Sequence, residues 1–284
     1  MKVVLAGAFG HLGSDLLRVL VREGHEVVAV GREIRKPADC AEGYATAVID
    51  VQNPNSFALV CDGADVVITT IGLTKVSAAL TNYDVDYQGN LYLLREAQRA
   101  GVKHFAYISV LMADDDPTVP MLDAKHKFEL ALQASGLKWV IFRPSGYFYD
   151  IAKVFRPMIE KGKVTLLGKL DAHANVVDTP DFAEFVVAHM CDDGRIYNVG
   201  GKEIWSYEEI ARMFFAAAGK KPIISRAPVW LFDVLAWVNK RKKNGRDAII
   251  KFSKWTLTHE LVGETVVGNA SFAEYIKRCY SEQP

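Results

Sequence analysis

Residues 1–17, MKVVLAGAFGHLGSDLL, set Gly7, Gly10 and Gly13 at a spacing of three between an apolar run and an amphipathic segment. Val3 to Ala6 read as a short buried strand, and Ser14 to Glu23 carries Leu16, Leu17, Leu20 and Val21 at helical spacing. The glycines therefore occupy a strand-to-helix turn. Glycine has no Cβ, so it turns at positive φ and lets a ligand approach the backbone closely. A helix that starts in such a turn aims unpaired N–H groups and the positive end of its dipole at the turn, which favours a phosphate. The spacing is GxxGxxG rather than GxGxxG, and an ordinary glycine-rich turn is the alternative.

The rest of the chain extends this pattern. HEVVAVGR predicts a second strand ending at Arg32, ATAVID a third ending at Asp50, and ADVVITTIG a fourth from Ala64. YDVDYQGNLYLLREAQRAG puts Val85, Leu91, Leu94 and Ala97 on a helix closed by Gly101. HFAYISV is a fifth strand, a helix runs from about Asp123 to Ser135, and KWVIFRPS is a sixth strand. Short apolar runs alternating with helices specify an α/β fold, a doubly wound parallel sheet covered on both faces. Ligands of such sheets bind beyond the carboxyl ends of the strands, which puts Gly7, Arg32, Asp50, Ile71, Ser109 and Pro144 along one edge. The expected organisation is a dinucleotide-binding domain over 1–148, to which 172–200 returns, and a smaller C-terminal substrate lobe over 149–171 and 201–284. In that lobe Ser206 and Glu209 form a capping box for a helix ending at Gly219. Residues 229–246, apolar and then basic (KRKKNGR at 240–246), read as a core helix followed by a solvated loop, with contact to a membrane surface or a partner as the alternative.

The chain has 284 residues, half of them hydrophobic, and 34 basic against 34 acidic side chains. It can bury a large core, and no net field attracts nucleic acid, so a small-molecule partner is expected. Cys40, Cys61, Cys191 and Cys279 are widely spaced, which suggests neither a metal site nor a disulfide framework but reduced thiols of a cytoplasmic protein. The apolar start is short and broken by glycine, unlike a signal peptide, and no run has the length of a transmembrane segment.

The stretches AGAFGHLG, Gly31-Arg32, Asp50, GADVVITTIG, GVKHFAYIS, AKHKFELALQASGLKWVIFRPS, VVDTPDFAEF and YNVGGKEIWSYEEIA occur in this order over nearly the whole chain. In this the chain resembles the atypical short-chain dehydrogenase/reductases, NAD(P)-binding proteins of the NmrA and complex-I-subunit type. The resemblance implies a Rossmann domain with NADP(H) or NAD(H) in its cleft. Gly7 would make the tight turn, Gly10 admit the pyrophosphate and Gly13 let the helix pack on the strand, with Phe9, His11 and Leu12 adding N–H groups and walls. For His11 the plain alternative is a surface histidine at a helix start. Arg32, with Arg35 and Lys36 near, favours the extra phosphate of NADP, while Glu33 would offer NAD a ribose acceptor. Asp50 and Val51 would face the adenine, unless Asp50 is only a strand-end cap. Thr70, Ile71 and Gly72 would line the ribose and nicotinamide side.

Members of the wider superfamily carry a Tyr-x-x-x-Lys pair after the fifth strand. Lys125 with Glu129 fits the related K-x-x-x-E, so the tyrosine position is Met121; counting from Lys127 moves it only to Asp123. Methionine donates no proton, so Lys125 alone would hold the ribose and assist proton delivery, with Ser109 as a hydrogen-bond donor. The alternatives are a solvated Lys125–Glu129 pair and a satisfied buried serine. Tyr147 and Tyr149 follow the sixth strand, as replacement donors or as packing. The expected function is an NADP(H)-dependent oxidoreductase acting on a carbonyl, quinone or conjugated alkene; the alternative is a non-catalytic NAD(P)-binding sensor or assembly subunit.

Overall fold

The structure, a computed structural model, describes residues 1–35, 43–73, 80–168, 171–241 and 245–281. Lys36, Cys40 and residues 242–244 of the basic run lie outside them. The strands are β1 (Lys2–Ala6), β2 (Glu26–Gly31), β3 (Tyr44–Val48), β4 (Val66–Thr69), β5 (His104–Ile108), β6 (Lys138–Pro144), β7 (Val164–Leu167), β8 (His173–Ala174), β9 (Arg195–Gly200), β10 (Trp205–Ser206), β11 (Ile224–Ala227) and β12 (Thr265–Val266). The α-helices are α1 (His11–Arg22), α2 (Asn90–Arg99), α3 (Pro120–Gln133), α4 (Phe148–Glu160), α5 (Thr179–His189), α6 (Tyr207–Ala217), α7 (Trp230–Arg241), α8 (Arg246–Thr256) and α9 (Phe272–Ser281), and a π-helical segment, Tyr83–Gly89, leads into α2.

Eight strands form one parallel sheet in the order β12-β9-β6-β5-β4-β1-β2-β3, flanked by helices. The central strands are apolar without alternation because both their faces are covered: Val3 to Ala6 and Val66 to Ile68 are wholly buried. β3, at the end of the order, is largely exposed. The chain divides into two compact units, Met1–Arg143 with Phe182–Tyr197, and Pro144–Asp181 with Asn198–Pro284, so the boundary falls at the end of β6, within the first turn of α5 and within β9.

In the first unit, α3 starts three residues before the expected Asp123. Pro120 stands at its first turn, where a missing N–H leaves no bond unmade. Its Glu129 is buried and accepts from Arg143 of β6, Nε to Oε1 at 3.0 Å and a terminal nitrogen to Oε2 at 2.5 Å. In the second unit, the buried Asn175 closes a two-way bond with Gly263, donating to its carbonyl (2.9 Å) and accepting from its N–H (2.8 Å). Ser206 and Glu209 form the expected capping box at the start of α6. The reading of 229–246 as a core helix is corrected: only Ala236 of α7 is buried, because α7 packs on α8 and turns its other face to solvent. Among the described residues no helix is long and apolar enough to cross a membrane.

Removing one partner of a buried ion pair strands the other charge, at a cost of about 3 kcal/mol. Glu129→Gln is therefore expected to lower the urea midpoint of unfolding by that equivalent with an unchanged slope, as measured by circular dichroism.

Candidate functional site

The glycine turn has three separate requirements. Gly7 takes φ +84°, and its N–H and that of Ala8 donate to the Val30 carbonyl at 2.8 and 3.1 Å, which ties the end of β1 to β2. A Cβ on Gly7 would lie 2.2 Å from Thr70 Oγ1, and one on Gly13 would lie 2.0 Å from the Gly7 carbonyl oxygen. Both positions therefore exclude any side chain. At Gly10 a Cβ would meet only the Gly7 carbonyl oxygen, at 3.3 Å, and Gly10 is exposed. Of the three, Gly10 alone escapes a contact below 3 Å, although its approach to the Gly7 carbonyl is already tight. Gly10 is the N-cap of α1, no side chain caps the helix and its first turn has no acidic residue. The first backbone bond is from Ser14 N–H to the Gly10 carbonyl (2.9 Å), so the N–H groups of Leu12 and Gly13 open the helix, while the Leu12 side chain turns into the core and His11 is exposed. An uncapped helix start without its own carboxylate suits an anion.

Phe9 lies against Gly31: a Cβ there would be 2.7 Å from its ring. Arg32 follows, exposed, whereas Arg35 is paired with Glu33 at 2.6 Å. Asp50 uses Oδ1 to accept from the Gln52 N–H (2.9 Å), and its own N–H donates to Ser56 Oγ (2.8 Å), so its carboxylate shapes the turn after β3. Val51 packs on Gly89 of the π-helical segment, where a Cβ would lie 2.6 Å from it.

Beyond β4, Thr70 hydroxyl donates to the Ala6 and Gly7 carbonyls (3.2 Å each), and Ile71 is buried. Next to Gly72 stand Asp86 and Lys125: a Cβ on Gly72 would be 3.0 Å from Asp86 Oδ1 and 3.7 Å from Lys125 Nζ. Lys125 Nζ lies 3.3 Å from Asp86 Oδ1 and donates to the Ile108 carbonyl at 3.3 Å, with the side chains 11% and 1% exposed. The alternative of a solvated Lys125–Glu129 pair is not what forms, since Glu129 is taken by Arg143 and the lysine is buried beside Asp86. Lys127, by contrast, is on the exposed side, paired with Asp123 (2.6 Å), which also accepts from Tyr83 (2.6 Å). Met121 lies one turn before Lys125, on the first turn of α3.

The Asp86 carboxylate is fixed by its surroundings. Oδ2 accepts from Asn82 Nδ2 (3.0 Å) and from the Leu73 N–H (3.3 Å). Asn90 donates to the Asp86 and Ile71 carbonyls (2.9 and 3.2 Å) and accepts from Thr69 Oγ1 (2.7 Å). Sequence periodicity does not single out Asp86 or Asn90, although Asn82, Asp86 and Asn90 at intervals of four form a polar stripe inside an otherwise apolar helix face. Below Lys125, at 5.3 Å, is the ring of Tyr107, whose phenol is pushed well above its ordinary value by burial, with the Asp86 and Glu129 carboxylates adding to it. Ser109, two residues on, is buried, and its Oγ has no hydrogen-bond partner among the described residues. A buried unpaired hydroxyl is costly and is satisfied when a ligand supplies the partner.

In the second unit Pro144 ends β6 and is buried, and Tyr147 and Tyr149 stack on each other at 5.7 Å, with burial raising the Tyr147 phenol. Among the described residues no group of His, Cys, Asp or Glu is placed to hold a metal ion. Cys61, Cys191 and Cys279 are free, and burial pushes the Cys61 thiol up to about 12.

An uncapped helix start, an exposed Gly10, and a buried ammonium and hydroxyl at the ends of neighbouring strands fit a dinucleotide. Comparison with known proteins gives the same answer. A family model described as NAD(P)H-binding matches residues 7–192. The chain is 30% identical over 234 residues to the photosystem II assembly factor Ycf39 of Synechocystis, covering 81% of this chain and 71% of that protein. It is 27% identical to the divinyl chlorophyllide a 8-vinyl-reductase of Zea mays, over 83% of this chain and 64% of that protein. An NADPH-dependent quinone oxidoreductase of Escherichia coli, solved with NADPH, shares the fold at a TM-score of 0.73 and 19% identity, over 99% of this chain and all of that one. The glycine turn that opens the sheet and the family model that starts on its first glycine agree: this chain belongs to the NAD(P)H-binding Rossmann family.

Proposed function

We propose that the protein is an NADP(H)-dependent oxidoreductase of the atypical short-chain dehydrogenase/reductase kind, acting on a small molecule with a carbonyl, quinone or conjugated alkene. The observation that carries this reading is the Lys125 ammonium, held between the Asp86 carboxylate and the Ile108 carbonyl beside Gly72. A charge kept at a strand end by two polar groups is poised for use there. Bound NADPH supplies the hydride. The first turn of α1 receives the diphosphate over Gly10, and Arg32 takes the additional phosphate as a charge-assisted contact. Lys125 holds the ribose hydroxyls and delivers the proton that balances the hydride, and Ser109 Oγ donates a hydrogen bond to the nicotinamide or to the substrate. Tyr107 stays protonated and buried, so it serves as the floor under Lys125 rather than as the acid. The free thiols fit a cytoplasmic location.

The second reading is an assembly factor or redox sensor that binds NAD(P)H without turnover. Met121 favours it, since it puts a thioether where a phenol would donate, and so does the likeness to an assembly factor. NADPH oxidation against aldehydes, quinones and enones separates the two. Turnover of at least one class is expected; NADPH binding that raises the melting temperature without any turnover would establish the second reading.

Four substitutions refine the assignment. Lys125→Met is expected to lower turnover about 100-fold, in line with loss of an acid–base group. Arg32→Ala is expected to cut the preference for NADPH over NADH about tenfold in fluorescence titration, the equivalent of one phosphate contact. Gly10→Val is expected to abolish NADPH binding while circular dichroism shows the fold kept with a modest fall in melting temperature, whereas Gly13→Val, whose Cβ would lie 2.0 Å from the Gly7 carbonyl oxygen, loses the fold.

A further inference from the structure

The exposed side of α7 is apolar. Trp230 is 62% exposed, Trp237 54% and Val234 46%, and Leu231 and Leu235 are exposed with them. At 3.6 residues per turn these five side chains occupy one arc of about 160°, with Asp233 and Lys240 along one border and Asn239 at the other. The opposite side, with Ala236, packs on α8. A face of this kind on a finished fold marks a contact with something else.

The charge around the stripe says what that is. The chain as a whole is neutral, yet α7 and α8 carry five basic side chains against two acidic ones. One of the acids, Asp233, is already paired with Lys254 at 2.6 Å. Lys240 and Arg241 close α7, with the Arg241 guanidinium stacked 3.6 Å over the Trp237 ring, and Arg246 opens α8. A second copy of this chain would bring like charge to this face, whereas an anionic surface would be attracted to it. The tryptophans stand at the two ends of the stripe, and indole rings favour the boundary between headgroups and acyl chains. Twelve residues of helix extend about 18 Å, too short to span the hydrocarbon of about 30 Å, so the helix would lie along the interface.

We propose that the exposed face of α7 docks the protein on an anionic lipid surface, with Trp230 and Trp237 at the acyl boundary and Lys240 and Arg241 against lipid phosphates. The assignment stands on the second unit alone and is independent of the oxidoreductase reading. It is tested by flotation of the full chain with vesicles of phosphatidylcholine alone or mixed with phosphatidylglycerol. The protein is expected to float with the mixed vesicles only and to be released by high salt. Lys240→Gln with Arg241→Gln is expected to lower the partition about thirtyfold, at roughly fivefold per basic residue. Trp230→Ser with Trp237→Ser is expected to abolish it, with an unchanged melting temperature showing that the fold is kept. Absence of flotation with either vesicle, or equal binding to both, overturns the proposal. So does a dimer in light scattering that the tryptophan substitutions dissociate, since a second copy would then cover the face.

Discussion

A buried ammonium needs a counter-charge and acceptors within reach, and the pairing of Lys125 with Asp86 meets this need by joining four elements. The lysine comes from α3, the carboxylate from the π-helical segment, the second acceptor from the end of β5, and the close approach at Gly72 from the exit of β4. Asn82 and Asn90, at intervals of four, fix the carboxylate and the β4 exit together. A π turn, with one more residue in its hydrogen-bonded loop than an α turn, shifts the face that follows and is often found at functional sites. Here it is the segment that carries Asp86, and Gly89 within it leaves room for Val51.

The same strand ends provide the rest of the site. In a parallel sheet every strand delivers its next residue to one edge, so the turn at Gly7, the exit at Thr70 and the exit at Ser109 are brought to that edge without any long loop. Thr70 hydroxyl then locks the first two together through the Ala6 and Gly7 carbonyls. The glycine turn is thus held from three sides, by β2, by Thr70 and by α1, and of its three glycines only Gly10 is exposed.

The second unit uses different devices. Asn175 substitutes its amide for a missing backbone pairing with Gly263, and aromatic rings fill its interior, with Phe148 on Phe272 at 4.7 Å and Phe155 stacked on Phe214 at 5.6 Å. Its α7 is apolar on the side that the fold leaves uncovered, so hydrophobic content there does not measure burial.

The order of strands and helices in the first unit, the glycine turn and the Ser206–Glu209 capping box are determined by local sequence, because they depend on period, on φ and on contacts within a few residues, whereas Lys125 is singled out only by the family resemblance of its K-x-x-x-E setting. Tertiary structure alone decided which carboxylate meets Lys125, since Glu129 one turn away is as available by spacing as Asp86 is not, and only the Arg143 side chain from β6 removes Glu129 from the competition. It likewise decided that α7 is a surface helix: the amphipathic period reports that a helix has an apolar face, whereas which face is covered depends on the elements that pack against it, and α8 covers the side with Ala236.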